Sequence, residues 1–224
     1  MSFGMNARSH VRARDIYSKG ARTMFRVHVR GRKQSQPVML NVQGQHNVSN
    51  ALAAVAVGQA LGVSMEKITA GLAKFRPVSM RSQIKSIEGL TIIEDCYNAN
   101  PASMKAAITL LKELGKDKQT IAVVGDMLEL GKNSRAMHRE VGRYIADHAV
   151  SALIVCGELG KEIGRGAKSQ GMAASSIFQA TTPSQAAGIL QKITKRGDVV
   201  LLKASRGMQL EKVLEGFSLR RSHS

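Results

Sequence analysis

The chain has 224 residues, of which 43% are hydrophobic and 22% are charged, with 21 glycines and 4 prolines. This composition suits one or two folded domains and excludes a disordered tail or a low-complexity linker. The 33 Lys and Arg against 16 Asp and Glu leave a net charge of +17, which raises the question of a polyanionic partner.

Cysteine content and hydropathy indicate the compartment. Cys96 and Cys156 lie far apart with no Cys-x-x-Cys string, which excludes a disulfide framework and a cysteine-rich zinc site. The N-terminus lacks the apolar stretch of a signal peptide, and no apolar window is long enough for a membrane helix. We therefore expect a cytoplasmic protein with no membrane partner.

The first predicted elements are an antiparallel strand pair followed by two helices. Apolar and polar residues alternate over 23–30, which is typical of a half-buried strand, and 38–42 is the returning strand after a turn. A helix-compatible run follows over 47–61. A second one covers 64–74, with Ser64 as its N-cap.

A domain boundary is predicted in residues 75–82, which contain a proline and lose periodicity, so that the domains are 1–79 and 80–224. Beyond it, apolar runs rich in β-branched residues alternate with helix-compatible stretches. The predicted strands are 90–93, 120–124, 152–155, 176–178 and 199–202, and the predicted helices are 101–114, 134–147, 158–169 and 183–194. This order predicts an α/β fold, a Rossmann-like and mostly parallel sheet with helices on both faces.

The positive charge is concentrated at the front of the chain. Residues 1–80 hold 12 Lys and Arg, and the only acidic residues among them are Asp15 and Glu66. Single-stranded nucleic acid requires aromatic stacking platforms, and the chain has 5 Phe, 3 Tyr and no Trp. We expect a solvated basic face and no nucleic-acid partner, with a basic RNA-binding module as the alternative.

Polar loops follow four of the predicted strands, at the positions where open α/β sheets carry their chemistry. They cover 94–101, 125–131, 157–161 and 203–207. The second loop resembles a P-loop but has five residues between its glycines instead of four, and Asn133 stands where Ser or Thr would bind magnesium. The sequence contains neither a P-loop nor a dinucleotide fingerprint.

Asp95 is the most suggestive single residue, since a carboxylate at the end of a strand can bind a hydroxyl pair or a metal-bound phosphate. The alternative is structural: Asn98 or Asn100 can cap a helix that begins at Pro101. Both interpretations stay open.

The other polar residues have structural interpretations as well. By itself, His46 is typical of a capping or packing histidine, and His138 is typical of an exposed helix face. Arg206 suits either an anion or a structural salt bridge.

Five strings in a specific order together resemble the Mur ligases. They are Gly-Gln-His-Asn-Val-Ser-Asn-Ala-Leu-Ala-Ala at 44–54, Phe-Arg-Pro-Val-Ser-Met-Arg at 75–81, Ile-Glu-Asp-Cys-Tyr-Asn-Ala-Asn-Pro-Ala-Ser-Met at 93–104, Gly-Asp-Met-Leu-Glu-Leu-Gly at 125–131 with His138, and Gly-Asp-Val-Val-Leu-Leu-Lys-Ala-Ser-Arg-Gly-Met at 197–208. The third and fourth strings are similar to those of the branch that uses D-alanyl-D-alanine. The resemblance covers nearly the whole chain.

The resemblance implies an ATP-dependent amide ligase of peptidoglycan precursor synthesis. Such an enzyme forms an acyl phosphate on UDP-N-acetylmuramoyl-tripeptide, and the amine of D-alanyl-D-alanine then attacks it to form an amide. Residues 1–79 would be the end of the central ATP-binding domain, and 80–224 the C-terminal domain. Another Mur-type or folylpolyglutamate-type amide ligase is the alternative.

The resemblance also implies roles for individual residues. Asn47 and Asn50 match the adenine-contacting asparagines of the family, with His46 beside them. Arg81 matches the arginine that reaches the ATP phosphates and is the candidate catalytic residue. Asp95 matches the ribose-binding aspartate. The other candidates are Tyr97, Asn98 and Asn100 for the nucleotide, and Asp126, Met127, Glu129, Ser205 and Arg206 for the dipeptide.

The sequence also departs from the family pattern. Met80 stands where a glycine is usual, and Ala204 replaces the glycine of Lys-Gly-Ser-Arg. The N-terminal nucleotide-sugar domain, the phosphate loop and the residues that organise Mg²⁺ have no counterpart, so we expect no metal ligands and no activity from this chain alone. A longer polypeptide or a separate chain with the N-terminal half would supply them. We also expect the first strands to lack sheet neighbours and to leave an exposed edge.

Overall fold

The computed structural model describes residues 1–19, 22–76 and 80–221. The chain forms two compact units, residues 1–78 and 79–224. Residues 77–79, in the predicted boundary segment, lie outside the described residues. No helix in the described part of the chain is both long and apolar enough to cross a bilayer.

The first unit is a four-stranded sheet with two helices. Its strands lie in the order β1-β2-β3-β4, with β1 parallel to β2 and the other neighbours antiparallel. The elements are β1 (Phe3–Gly4), β2 (Val11–Lys19), β3 (Arg22–Val29), β4 (Gln36–Leu40), α1 (Gln45–Ala60) and α2 (Met65–Lys74). The predicted pair is β3 and β4, and both predicted helices are present.

The core of the first unit lies between one face of the sheet and the helices. Alternate residues of β3, among them Phe25 and Val27, are buried in the same cluster as Leu52 and Val55 of α1. The hydroxyl of Ser64 accepts a hydrogen bond from the Lys67 amide at 3.4 Å, which confirms it as the N-cap of α2. Strand β2 was not predicted, because every residue beyond Ala13 in it is exposed and the alternation is lost.

The second unit is a six-stranded sheet in the order β5-β6-β10-β7-β8-β9, antiparallel only between β5 and β6. Its strands are β5 (Gln83–Ile87), β6 (Leu90–Asp95), β7 (Thr120–Val124), β8 (Ala152–Cys156), β9 (Ile177–Ala180) and β10 (Val199–Lys203). Its helices are α3 (Pro101–Leu114), α4 (Ser134–Asp147), α5 (Gly160–Ser169), α6 (Pro183–Ile193) and α7 (Lys212–Arg221). The mostly parallel α/β fold is confirmed. The edge strand β5 and the helix α7 were not predicted.

Helices cover both faces of this sheet. One buried cluster joins the strands to Leu190 of α6 and Val213 of α7, and the other joins them to Ile108 of α3, Val141 of α4 and Ile163 of α5. Every residue of β7, β8 and β10 is buried, as expected for central strands covered on both sides.

Helices α4 and α5 approach each other through glycine. A Cβ added at Gly142 would overlap the carbonyl oxygen of Ile163, and one at Gly166 would overlap that of Arg139. Only glycine allows such close backbone packing. This contact sets the position of α4, which carries His138, against α5.

Candidate functional site

Strand order brings three polar loops of the second unit together. Strand β10 lies between β6 and β7, and Lys203 is in register with Asp95 on one side and with Val124 on the other. The loops that follow these strands therefore leave from the same edge of the sheet. In open α/β sheets this carboxyl edge is where ligands bind.

Asp95 forms a buried ion pair with Lys203, whose side chain is 1% exposed. The Nζ of Lys203 donates to Asp95 Oδ2 at 2.6 Å and to the carbonyl oxygen of Asn98 at 2.9 Å, while the amide of Ser82 donates to Asp95 Oδ1 at 3.1 Å. The carboxylate thus joins three segments, and each oxygen retains acceptor capacity. Lys203 was not among the predicted site residues. The sequence feature that could have identified it is a charged residue at the end of an apolar strand.

Arg81 and Tyr97 lie together beside this ion pair. The guanidinium of Arg81 is 4.2 Å from the centroid of the Tyr97 ring, within the range of a cation–π contact. The amide of Tyr97 donates to the carbonyl of Met80 at 3.1 Å. Arg81 is exposed and forms no ion pair among the described residues, so its charge is available to an anion.

Met80 has a φ of 60°, in the left-handed region that favours glycine. The Mur ligases, which the sequence resembles, usually have glycine at this position. A glycine would adopt this backbone conformation without strain.

The structural interpretation of Asn100 is confirmed. Its side chain accepts a hydrogen bond from the Ser103 amide at 2.8 Å, and the Ser103 hydroxyl accepts one from the Asn100 amide at 3.0 Å, which makes a capping box before Pro101. Asn98 instead accepts from the Ala99 amide at 2.8 Å.

The loop after β7 is anchored to two neighbouring loops. Asp126 Oδ1 accepts from the Gly160 amide at 2.7 Å, at the start of α5, and the Asp126 carbonyl accepts from the Ser205 amide at 3.0 Å. The Ser205 hydroxyl accepts from the Leu128 amide at 2.9 Å. A Cβ at Gly157, where φ is 97°, would lie 2.5 Å from the Asp126 carboxylate. Asp126 and Ser205 therefore hold the loops in place.

The predicted exposure of His138 is wrong, because its side chain is fully buried. Its Nε2 accepts a hydrogen bond from the Met127 amide at 2.9 Å, and its Nδ1 lies 2.7 Å from the Ser134 carbonyl oxygen. Nδ1 therefore carries the proton of a neutral imidazole. The charged neighbours in sequence point to other sides of α4. The Met127 side chain is also fully buried.

Glu129 and Arg206 are the exposed charges of the predicted dipeptide site. Glu129 has a φ of 63° in the loop after β7. Arg206 forms an ion pair with Glu211, which confirms the salt-bridge interpretation, and this hydrogen bond raises the pKa of Arg206. The Arg206 side chain is 50% exposed, so part of it remains open to solvent.

The adenine candidates line a pocket within the first unit. Asn47 and Asn50 border a cavity of about 160 Å³ whose other walls include Leu40, Val42 and Phe75. The Asn47 amide donates to the Gln43 carbonyl at 2.7 Å, whereas the Asn50 side chain has no hydrogen-bond partner among the described residues. Apolar walls with amide groups at the border suit the faces and the edge of a flat heterocycle.

His46 packs over the backbone of Gly44. A Cβ at Gly44, where φ is 97°, would lie 2.6 Å from the imidazole. This agrees with the packing interpretation of His46. The described residues contain no group of three or more His, Cys, Asp or Glu that could hold a metal ion.

Comparison with known families accounts for most of the chain. The family model described as "Mur ligase, glutamate ligase domain" matches residues 80–206, and "Mur ligase middle domain" matches residues 1–58. The chain belongs to the Mur ligase family. The family resemblance of the five strings is thereby confirmed.

Curated Mur ligases give the same result at the level of whole sequences. The UDP-N-acetylmuramoyl-tripeptide–D-alanyl-D-alanine ligase of Bacillus subtilis is 37% identical over 175 residues, covering 78% of this chain and 38% of the relative. The Mycobacterium leprae ligase of the same name is 36% identical over 208 residues, covering 85% and 40%. The chain thus spans about two-fifths of the length of these relatives.

Solved structures of Mur ligases share the fold. A crystal structure of MurF from Acinetobacter baumannii has a TM-score of 0.84 and 30% identity, covering 98% of this chain and 46% of that one. MurF ligase from Thermotoga maritima in complex with ADP has a TM-score of 0.79 and 25% identity, covering 98% and 49%.

Proposed function

We propose that these 224 residues are part of the ATP-dependent amide ligase that joins D-alanyl-D-alanine to UDP-N-acetylmuramoyl-tripeptide. Two relatives that carry the name of this reaction, at 36% and 37% identity, support the proposal, as does the ADP complex of a MurF neighbour. The structural observation that carries it is the exposed Arg81, stacked on Tyr97 beside the anchored Asp95 at the carboxyl edge of the sheet.

In this proposal each part of the nucleotide is assigned to its own candidate residues. The apolar pocket with Asn47 and Asn50 takes adenine, because an amide both donates to and accepts from the edge of the base. The remaining acceptor capacity of Asp95 takes the ribose hydroxyls. Arg81 stabilises the negative charge of the phosphates during transfer.

The dipeptide is assigned to the loops after β7 and β10. Glu129 and Arg206 present opposite charges to solvent, which suits the amino and carboxylate ends of D-alanyl-D-alanine. Asp126, Met127 and Ser205 contribute by fixing these loops, since all three are buried.

The proposed ligation has two chemical steps. A carboxylate oxygen of the tripeptide attacks the γ-phosphorus of ATP and releases ADP, which gives an acyl phosphate. The dipeptide amine then attacks the acyl carbon, loses a proton, and releases inorganic phosphate as the amide forms. Positioning and charge stabilisation supply most of the acceleration in phosphoryl transfer.

We further propose that the 224 residues alone do not catalyse ligation. The sequence has no Gly-x-x-x-x-Gly-Lys-Ser/Thr string to cradle the phosphates, and the described residues hold no metal cluster. Mg²⁺ would accordingly be bound by residues supplied from elsewhere.

A chimera tests the proposal. The part of the Bacillus subtilis ligase that precedes its counterpart of residue 1 is fused to residues 1–224, and phosphate release is measured with ATP, Mg²⁺ and both substrates. We expect release that depends on D-alanyl-D-alanine from the chimera and none from the 224 residues alone. Arg81→Lys should lower kcat by about 100-fold, whereas the exposed control Lys168→Arg should not.

Two results would contradict the proposal. One is phosphate release by the 224 residues alone, which would place the phosphate site within this chain. The other is a folded chimera that binds ATP, measured by calorimetry, but releases no phosphate when both substrates are present.

A further inference from the structure

The exposed face of the first unit's sheet carries cations around an apolar centre. Directly opposite residues of an antiparallel pair share a face, so the register defines this surface, which we call the cationic face. Its members are Arg12, Arg14, Tyr17 and Lys19 of β2, Arg22, Met24, Arg26 and His28 of β3, and Pro37 and Met39 of β4. The opposite face is buried against the helices.

Among the described residues, no acidic residue lies directly opposite a cation of the cationic face. Arg14 lies directly opposite Arg26, and Lys19 directly opposite Arg22. Like charges in opposite positions destabilise a sheet. The salt bridges found among the described residues join side chains of the second unit, and Asp15 is the one acidic residue on these three strands.

The centre of the cationic face is apolar. Tyr17 lies opposite Met24, and Met24 lies opposite Met39, so the three side chains form a row across the strands. Tyr17 is 56% exposed. One cationic pair, Arg14 with Arg26, borders this row, and Lys19 with Arg22 borders its other side.

We propose that the cationic face binds the surface of a membrane that contains anionic phospholipids. Arginine and lysine side chains contact lipid phosphates, and the row of Tyr17, Met24 and Met39 reaches the headgroup boundary, where amphipathic side chains are favoured. An anionic bilayer presents phosphates over an area, which matches cations spread across neighbouring strands. Such peripheral binding requires no spanning helix.

Nucleic acid fits this surface less well. Recognition of single strands on a sheet depends on several aromatic side chains that stack on bases, and Tyr17 is the one aromatic residue of the cationic face besides His28. The proposal is independent of the proposed function, since it uses no residue of the ligase site. It differs from the expectation, drawn from the N-terminus and from hydropathy, that a membrane is not a partner.

Vesicle sedimentation of the 224-residue chain tests the proposal. We expect binding to vesicles of phosphatidylcholine with phosphatidylglycerol, none to phosphatidylcholine alone, and weakening as NaCl is raised. Arg14→Glu should lower the affinity by about tenfold or more, at roughly 1 kcal/mol per charge near the surface. The same variant places a carboxylate opposite Arg26, so the thermal midpoint should be unchanged or higher.

Control variants distinguish binding by the cationic face from an effect of the net charge of the chain. Lys168→Glu, at an exposed position of the second unit, makes the same change in net charge and should leave vesicle binding unchanged. Tyr17→Ser should weaken binding without changing its dependence on salt. Equal losses from Lys168→Glu and Arg14→Glu, or no binding to anionic vesicles, would overturn the proposal. Tighter binding to a polyuridylate oligonucleotide than to vesicles would also overturn it.

Discussion

The Nζ of Lys203 lies 2.6 Å from Oδ2 of Asp95, and this ion pair connects the end of β10 to the end of β6. The two side chains are 1% and 13% exposed. The pair therefore lies in a region of low dielectric at the edge of the sheet where the candidate loops meet. Removing one partner leaves the other as a buried, uncompensated charge.

Lys203→Met should lower the free energy of unfolding of the second unit by about 3–5 kcal/mol, because Asp95 would be left unpaired. Urea unfolding followed by circular dichroism measures this loss. The control is Lys161→Met, which breaks the exposed pair with Glu158 and should cost less than about 1 kcal/mol. Equal losses of free energy for the two variants would show that the buried pair contributes no more to stability than the exposed one.

His138→Phe should lower the free energy of unfolding by about 1–3 kcal/mol, because the Met127 amide would be buried without an acceptor. His138→Gln can place an amide oxygen near the former Nε2 and should recover part of the loss. Amide hydrogen exchange at Met127 is the direct measurement. Protection of this amide that is unchanged in His138→Phe would contradict the assigned hydrogen bond.

Glu162→Gln should make the free energy of unfolding less dependent on pH in acid. The hydrogen bond from Arg139, and then the charges of Arg139 and Arg165, lower the pKa of the Glu162 carboxyl. A depressed carboxyl pKa contributes stability above the unfolded value of about 4.3, which disappears as the pH falls through the folded value. Urea unfolding over a series of pH values should therefore show a shallower slope below about pH 5 for the variant.

The control for this titration is Glu158→Gln. The hydrogen bond with Lys161 lowers the pKa of Glu158 as well, but this glutamate is exposed, so solvent screens the pair. Its slope should match that of the unchanged chain. A slope for Glu162→Gln that also matches would mean that the Arg139–Glu162 pair contributes nothing to acid stability.

Gly142→Ala should destabilise the second unit by about 1–3 kcal/mol, because the new methyl group overlaps the Ile163 carbonyl oxygen and forces α4 away from α5. The matched control is Gly71→Ala in α2, where an added Cβ meets nothing within 4 Å. That substitution should stabilise its helix by about 0.5–1 kcal/mol. Thermal unfolding should show a lower midpoint for Gly142→Ala and a higher one for Gly71→Ala. Stabilisation by Gly142→Ala would refute the close helix contact.

Local patterns were sufficient for most of the regular elements. Strand Thr120–Val124 and helices Pro101–Leu114 and Ser134–Asp147 have the predicted bounds, because alternation, apolar periodicity and capping residues act over a few neighbours. Strands β2 and β5 were missed. Each is an edge or largely exposed strand, so pairing with a neighbour defines it and its own hydropathy does not.

The candidate site was predictable as a set of residues but not as an arrangement. The strings identify Asp95, Asp126, Ser205 and Arg206 as polar groups after strands. The insertion of β10 between β6 and β7 then decides that Lys203 meets Asp95 and that Ser205 holds the loop of Asp126. These partners lie far apart in sequence, where no local period connects them.

The sequence by itself determined the family, the α/β class and the identity of the candidate groups, since these depend on residue order and short-range periodicity. The tertiary structure alone decided which groups are available to a ligand. Arg81 and Asn50 remain exposed, whereas His138 and Lys203 are buried in hydrogen bonds that hold the loops. Burial and hydrogen-bond partners arise from contacts between distant segments, and only the folded chain brings those segments together.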